Sequence, residues 1–251
     1  METKVIKTIV DGKCIIRINR PAVHNAVDFD VIHLLNKYLD EAAGDETIDT
    51  LVLKGTGEKA FCAGGDLKAF QHLHTKEEAF QMLSGMSRVL KKIAVFPLPT
   101  AALLNGNAYG GGAELAMACD IRAAVPSASF GFTQGRFAIT TGWGGGSLLL
   151  NKVSHDTAVN VLCSSEVYSA RDWYKMGIIT SIKENAETEW VPEWSGTIKE
   201  VNKAYKALAL KKLNREKLFE MMDEEVRTCA ELWAEPAHEK AVEQFHSRKR
   251  V

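Results

Sequence analysis

The sequence has few cysteines and no cysteine pattern. Cys14, Cys62, Cys119, Cys163 and Cys229 are scattered, with no Cys-x-x-Cys pair and no Cys/His group at zinc spacing. An odd, dispersed set excludes a complete disulfide framework and points to free thiols in a reducing compartment. Long apolar runs are missing too. None approaches the roughly 20 residues of a membrane span, and Met1 to Asp11 reads as a charged strand rather than a signal peptide. A cytoplasmic location with no membrane partner is the expectation. Charge of one sign is also absent: 31 basic residues face 32 acidic ones, for a net charge of −1. That removes the electrostatic case for a nucleic-acid partner or an anionic lipid surface.

What is present is 251 residues, 46% of them hydrophobic. That is enough chain for one large domain, or a domain with a helical appendage, to bury its core without metals or disulfides. β-Branched residues from Val5 to Asn19, around Asp11-Gly12, predict a hairpin. The period turns helical over Phe29–Ala43, with Asp28 placed to cap and Gly44 to stop. Thr50–Lys54 and Thr100–Leu104 read as short buried strands. Between them, Thr75–Phe96 reads as a long helix opened by a Thr75/Glu78 capping box and ended by Pro97 and Pro99. Ser169 caps a small helix that Gly177 terminates. From Thr197 onward the chain is rich in Ala, Leu, Lys and Glu and reads as helical. Strand–helix alternation followed by helices predicts an α/β fold with a helical tail.

Two glycine-bearing loops each follow a short apolar strand and lead toward a helix. They are Phe61-Cys62-Ala63-Gly64-Gly65-Asp66-Leu67 and Gly110-Gly111-Gly112-Ala113-Glu114-Leu115. N–H groups at a helix start are unpaired and lie at the positive end of the helix dipole. Two of them converging on one oxygen would make an oxyanion hole. The second loop lacks the Lys-Ser/Thr of a phosphate loop, and Gly106, Gly110 and Gly112 do not have dinucleotide-fingerprint spacing.

Five segments, in order, resemble the crotonase (enoyl-CoA hydratase/isomerase) superfamily. They are Asn19-Arg20-Pro21 with Asn25-Ala26; Ala60 to Leu67; Gly106 to Leu115 with Cys119-Asp120; Phe130-Gly131 with Gly142-Trp143-Gly144-Gly145; and Ser169-Ala170 through Gly177. The resemblance implies a spiral of ββα repeats over residues 1–190, with acyl-CoA binding and catalysis. It further implies a helical oligomerisation region over 191–251 and a homotrimer or hexamer. It assigns the oxyanion hole to the N–H groups of Gly65 and Gly111, with Glu114 as the catalytic carboxyl. Coenzyme A would lie against His24, Ala26, Ala63, Gly65, Asp66, Leu67 and Lys68, with Lys249 and Phe245 near the C-terminus. Coenzyme A enters as part of the substrate, and neither a further cofactor nor a metal is implied.

A typical hydratase of that superfamily carries two glutamates as a paired acid and base. Glu114 matches the first, although a helix-starting acid also suits the dipole without any catalytic role. The second position, four residues after Phe130, is Gln134, which cannot act as an acid or base. Thr141 stands where proline is expected. Decarboxylation of a malonyl-type thioester needs no base, because loss of carbon dioxide itself makes the enolate. Shorter matches resemble the ethylmalonyl-CoA decarboxylase branch: Gly110 to Leu115, Cys119 to Arg122, Trp143-Gly144-Gly145, and Glu231-Leu232-Trp233 with Pro236-Ala237. Gln134, Thr141 and Trp143 would face the acyl group, with Phe132 and Phe137 as apolar walls. His72 and His74 flank a loop that could reach the acyl end. Two readings stay beside decarboxylation: a divergent enoyl-CoA hydratase or isomerase, and a non-catalytic acyl-CoA or RNA binder using Arg88, Lys91 and Lys92.

Overall fold

A computed structural model of the chain describes residues 3–184 and 198–248. The expected boundary at 190/191 therefore lies outside the described residues. The chain opens on the hairpin β1 (Val5–Val10) and β2 (Lys13–Ile18). α1 (Phe29–Ala43) keeps the bounds its period predicted. The Asp28 carboxylate accepts from the Val31 N–H, and Val31, Ile32, Leu35, Leu39 and Ala42 form its buried face.

From here the chain alternates between two sheets. β3 (Thr50–Gly55) enters the first and β4 (Ala60–Cys62) the second. After α2 (Leu67–Phe70) and α3 (Lys76–Ala94), β5 (Thr100–Leu104) and β6 (Asn107–Tyr109) repeat the step. After α4 (Gly111–Ala118), β7 (Ile121–Ala124) and β8 (Ser129–Gly131) repeat it again. α5 (Gly145–Leu150), α6 (His155–Ser164), β9 (Tyr168–Ser169), α7 (Ala170–Lys175) and β10 (Ser181–Ile182) complete the body. α8 (Lys199–Lys212), α9 (Arg215–Trp233) and α10 (Pro236–Arg248) follow.

The first sheet has the order β1-β2-β3-β5-β7-β10 and is parallel beyond the opening hairpin. The second has the order β4-β6-β8-β9 and is parallel except at β9. Each turn thus lays one strand beside its predecessor in both sheets, which is a ββα spiral. Buried amides hold the corner where β3 leaves one sheet for the other. Asn25 donates to the carbonyls of Thr56 and Ala60, and Asn105 accepts from Gly55 N–H and donates to Gly57 and Ala60. These backbone groups lie where the chain passes from one sheet to the other, and the side-chain amides supply hydrogen-bond partners there.

The α3 capping box forms as expected. Trp173, Phe130 and Phe132 stack edge to face beneath the second sheet, with the Phe130 and Trp173 ring centres 4.7 Å apart. Phe132 is therefore core rather than a pocket wall, a correction to the sequence-based assignment. No helix among the described residues is long and apolar enough to cross a membrane.

Candidate active site

β4 and β6 are adjacent parallel strands, with Cys62 beside Ala108, so the two glycine loops leave the second sheet side by side. In the first loop Gly64 turns at φ +93°, and the Asp66 carboxylate then takes the N–H groups of Lys68 and Ala69 to start α2. In the second, Gly110 turns the chain and its carbonyl receives the N–H groups of Ala113 and Glu114. α4 therefore begins with a free N–H on Gly111. The loops touch: a Cβ placed on Gly64 would lie 3.0 Å from Gly111 N. Among the described residues no acceptor takes the N–H of Gly65 or of Gly111. The Trp143 indole lies over both, where a Cβ on Gly111 would come within 2.3 Å of the ring and one on Gly65 within 3.9 Å. Glycine at 111 is thus required by the ring packed on it.

These loops open on a cavity of about 930 Å³. Apolar lining comes from Met82, Leu83, Phe137, Ile139, Trp233 and Phe245, and an exposed basic lining from His24, Lys59 and Arg136. Among the described lining residues Glu114 carries the only carboxyl group. Its side chain is buried and saturated with donors. Oε1 accepts from Gln134 Nε2 at 2.7 Å and Gly142 N at 3.3 Å, and Oε2 from Trp143 N at 2.8 Å and Gly145 N at 2.9 Å. Removal from water, reinforced by the like charge of Glu225, pushes the Glu114 carboxyl up to about 8, against the three backbone N–H groups. The sign follows from its ordinary value of 4.5: the stability this group contributes is complete below about 4.5 and is lost as pH climbs through 8.

The sequence pattern of the enoyl-CoA hydratase/isomerase family matches residues 8–250. The chain belongs to that family. Mouse mitochondrial methylglutaconyl-CoA hydratase is 33% identical over 173 residues, 69% of this chain. The chain spans about half the length of that relative, 55%. The short-chain-enoyl-CoA hydratase of Clostridium acetobutylicum is 31% identical over 179 residues, 70% of this chain and 68% of that one. In fold, the chain is similar to the crystal structure of enoyl-CoA hydratase from Bacillus halodurans. That match has a TM-score of 0.87 at 22% identity and covers 96% and 99% of the two chains.

Among the residues this family resemblance singled out, His24, Ala63, Gly65, Leu67, Gly111, Glu114, Gln134 and Trp143 line this same cavity. Phe137 and Phe245 join them, edge to face at 5.2 Å. Others lie elsewhere. Thr141 is buried outside the lining, its hydroxyl 2.6 Å from where a Cβ on Gly146 would be. Ala26 gives its carbonyl to Arg20, and Asp66 pairs with Arg20 at 2.9 Å while capping α2. Lys68 is exposed outside the lining, as are His72 and His74. Lys249 lies outside the described residues. Among those residues no three His, Cys, Asp or Glu side chains are grouped as metal ligands.

Two residues escaped the sequence reading. Glu225, on α9, accepts from Gly144 N at 3.0 Å and Gly146 N at 3.1 Å on one oxygen. Its other oxygen accepts from Ser147 N and Ser147 Oγ, both at 2.7 Å. It lies about eighty residues along the chain from that turn, so no spacing rule could have found it. His238, on α10, lines the cavity against Trp233, with ring centres 4.5 Å apart, and its Nδ1 lies 2.8 Å from the Phe137 carbonyl. Burial lowers the pKa of that imidazole. A His-after-Pro-Ala in a helical tail gave no signal of this.

Proposed function

We propose that the chain is an acyl-CoA enzyme that decarboxylates a malonyl-type thioester, ethylmalonyl- or methylmalonyl-CoA. The N–H groups of Gly65 and Gly111 would hold the thioester oxygen. The bond from the α-carbon to the carboxylate breaks, its electron pair moves onto that oxygen, and carbon dioxide leaves. The resulting enolate collapses as its α-carbon takes the proton of Glu114. Each oxyanion donor is worth about 10²–10³ in rate. The observation that carries this reading is Glu114 itself. It is the lone carboxyl among the described lining residues, burial and the like charge of Glu225 raise its pKa, and its neighbour at 134 is an amide. That is a site with one carboxyl acid and no second carboxylate beside it, which suits enolate formation by loss of carbon dioxide.

Coenzyme A would run along His24, Ala63 and Leu67, with Ala26, Asp66, Lys68 and Lys249 assigned by family resemblance. The exposed His24, Lys59 and Arg136 suit its phosphates. Lys91 and Lys92 are engaged by Asp223 and Asp40, which argues against an RNA-binding role for that run. The five thiols are free, in keeping with a cytoplasmic setting.

Hydration is the second reading, favoured by relatives 31–33% identical that are named hydratases, including the crotonyl-CoA hydratase of Syntrophomonas wolfei at 32%. Mass analysis after incubation with methylmalonyl-, ethylmalonyl- and crotonyl-CoA separates the two. We expect loss of carbon dioxide from a malonyl ester. Hydration of crotonyl-CoA that Glu114→Gln abolishes, with no carbon dioxide released, overturns the decarboxylase reading. Gln134→Glu, which restores the carboxylate pair, is expected to raise crotonyl-CoA hydration by about 10².

For assembly we propose a homotrimer or hexamer formed through the 191–251 region. α8 is fixed to the body by buried Lys206, whose ammonium is 2.6 Å from Asp120. Its other side leaves Ile198, Val201, Tyr205 and Leu208 37–67% exposed, at the spacing of one helical face. Tyr205→Glu with Leu208→Glu is expected to reduce the particle to a monomer in sedimentation, and an unchanged mass would remove α8 from the interface.

A further inference from the structure

The turn at 142–147 that starts α5 is gripped from two sides by carboxylates. Glu114 takes the N–H groups of Gly142, Trp143 and Gly145, and Glu225 takes those of Gly144, Gly146 and Ser147. The donors interleave along the chain, so the two carboxyl groups stand on either side of one turn. Neither forms an ion pair with a cation among the described residues.

The titratable groups facing Glu114 are few. α9 brings Glu225 and the buried thiol of Cys229. The buried faces of α3 and α5 carry no charged residue. On β6 the Tyr109 hydroxyl is engaged with Ser129, and beyond Gln134 the Arg136 Nε–H is given to the Ser165 carbonyl. His238 lines the same cavity and is held toward neutrality by burial. Glu225 is therefore the like-charged neighbour that Glu114 faces across the turn.

Gln134 also bears on the proton of Glu114. Gln134 gives its Nε2 to Glu114, and its own Oε1 is buried without a partner. Turning that amide over presents Oε1 to Glu114 as an acceptor. A protonated Glu114 then has an acceptor for its proton, as an ionised Glu114 has a donor in the unturned amide. Glu225 accepts from three backbone N–H groups and from the Ser147 hydroxyl, and it is less deeply buried than Glu114.

We propose that Glu225 is a positioning residue that keeps Glu114 in its protonated form, with Gln134 as the reversible acceptor, so that a proton donor stands beside the oxyanion loops. The catalytic meaning of this rests on the reading of Glu114 as the working acid, but the protonation itself does not depend on the substrate.

The test is a carbon-13 titration of glutamate carboxyl groups in the intact, ligand-free protein, with the Glu114 signal assigned by its loss in Glu114→Gln. The wild-type midpoint is expected near 8. In Glu225→Gln it is expected to fall by about one pH unit or more. Should that variant fail to fold, Ser147→Ala, which removes one donor from Glu225 and eases transfer of the proton to it, is expected to move the midpoint the same way by less. A merely structural Glu225 would lower the melting temperature and leave the midpoint in place, and an unmoved midpoint in every folded variant overturns the proposal. A shifted midpoint with no carbon dioxide released would leave the proposal standing and sink only the decarboxylase reading.

Discussion

Gly112→Ala is expected to destabilise the protein strongly. A Cβ at 112 would lie 1.9 Å from the Cys62 carbonyl oxygen, 2.7 Å from its carbon and 3.1 Å from its Cβ. These are mainly backbone atoms of β4, and β4 is held in register by β6. Relief would require α4 to move away from the first glycine loop, which separates Gly65 from Gly111 and opens the core around Phe61 and Cys62. Overpacking that forces backbone shifts costs about 3 kcal/mol or more. For a chain of this length that is a fall of roughly 6–12 °C in melting temperature. Differential scanning calorimetry checks it, and a melting point within a degree or two of wild type would show that the two loops do not approach so closely.

Glu114→Gln is expected to lower kcat by about 10²–10⁴ with a much smaller change in KM. The side chain keeps its length, so the pocket is nearly unchanged, but the transferable proton is gone. One end of the amide also meets N–H groups where an oxygen stood, at Trp143 and Gly145 or at Gly142. A stability loss of about 1–3 kcal/mol follows from those unpaired donors. On the proposed reading the protonated carboxyl is the working form. With the pKa raised by burial and by Glu225 to about 8, activity is expected to hold through neutral pH and to fall as pH rises past 8. Activity that instead rises with pH through that range would make Glu114 a base and return the chain to hydration. Steady-state rates between pH 6 and 10 on both proteins decide it.

Glu225 explains why such a carboxyl is compatible with a folded core. The two acids share one helix-starting turn, and each lacks a cationic partner within it. Glycines at 144, 145 and 146 make the sharing possible. A Cβ on Gly145 would come within 2.4 Å of the Glu114 side chain, and one on Gly144 within 2.3 Å of Met222. The run Gly142-Trp143-Gly144-Gly145-Gly146, which served only as a family marker in the sequence, is the cradle of both carboxylates.

The sequence by itself determined the long periodic elements and the two glycine loops. α1 and α3 fall where their 3.6-residue period and caps placed them, because a buried helix face writes itself into every third or fourth residue. β1, β2, β3 and β5 were likewise legible as β-branched or continuous apolar runs. The ordered motifs were enough to predict the family and the spiral, and to single out Gly65, Gly111 and Glu114, which the fold brings to one cavity. The second sheet was not legible, since β4, β6, β8 and β9 are two or three residues long and carry no period. Nor were the partners of Glu114. Glu225 reaches it through the α5 turn from a distant helix, and Phe132, Thr141 and Asp66 were displaced from the pocket by core packing and local capping. Motif residues declare the chemistry a chain can attempt. Whether its one carboxyl serves as acid or base depends on burial and on a like charge brought beside it by packing, and only the tertiary structure decides that.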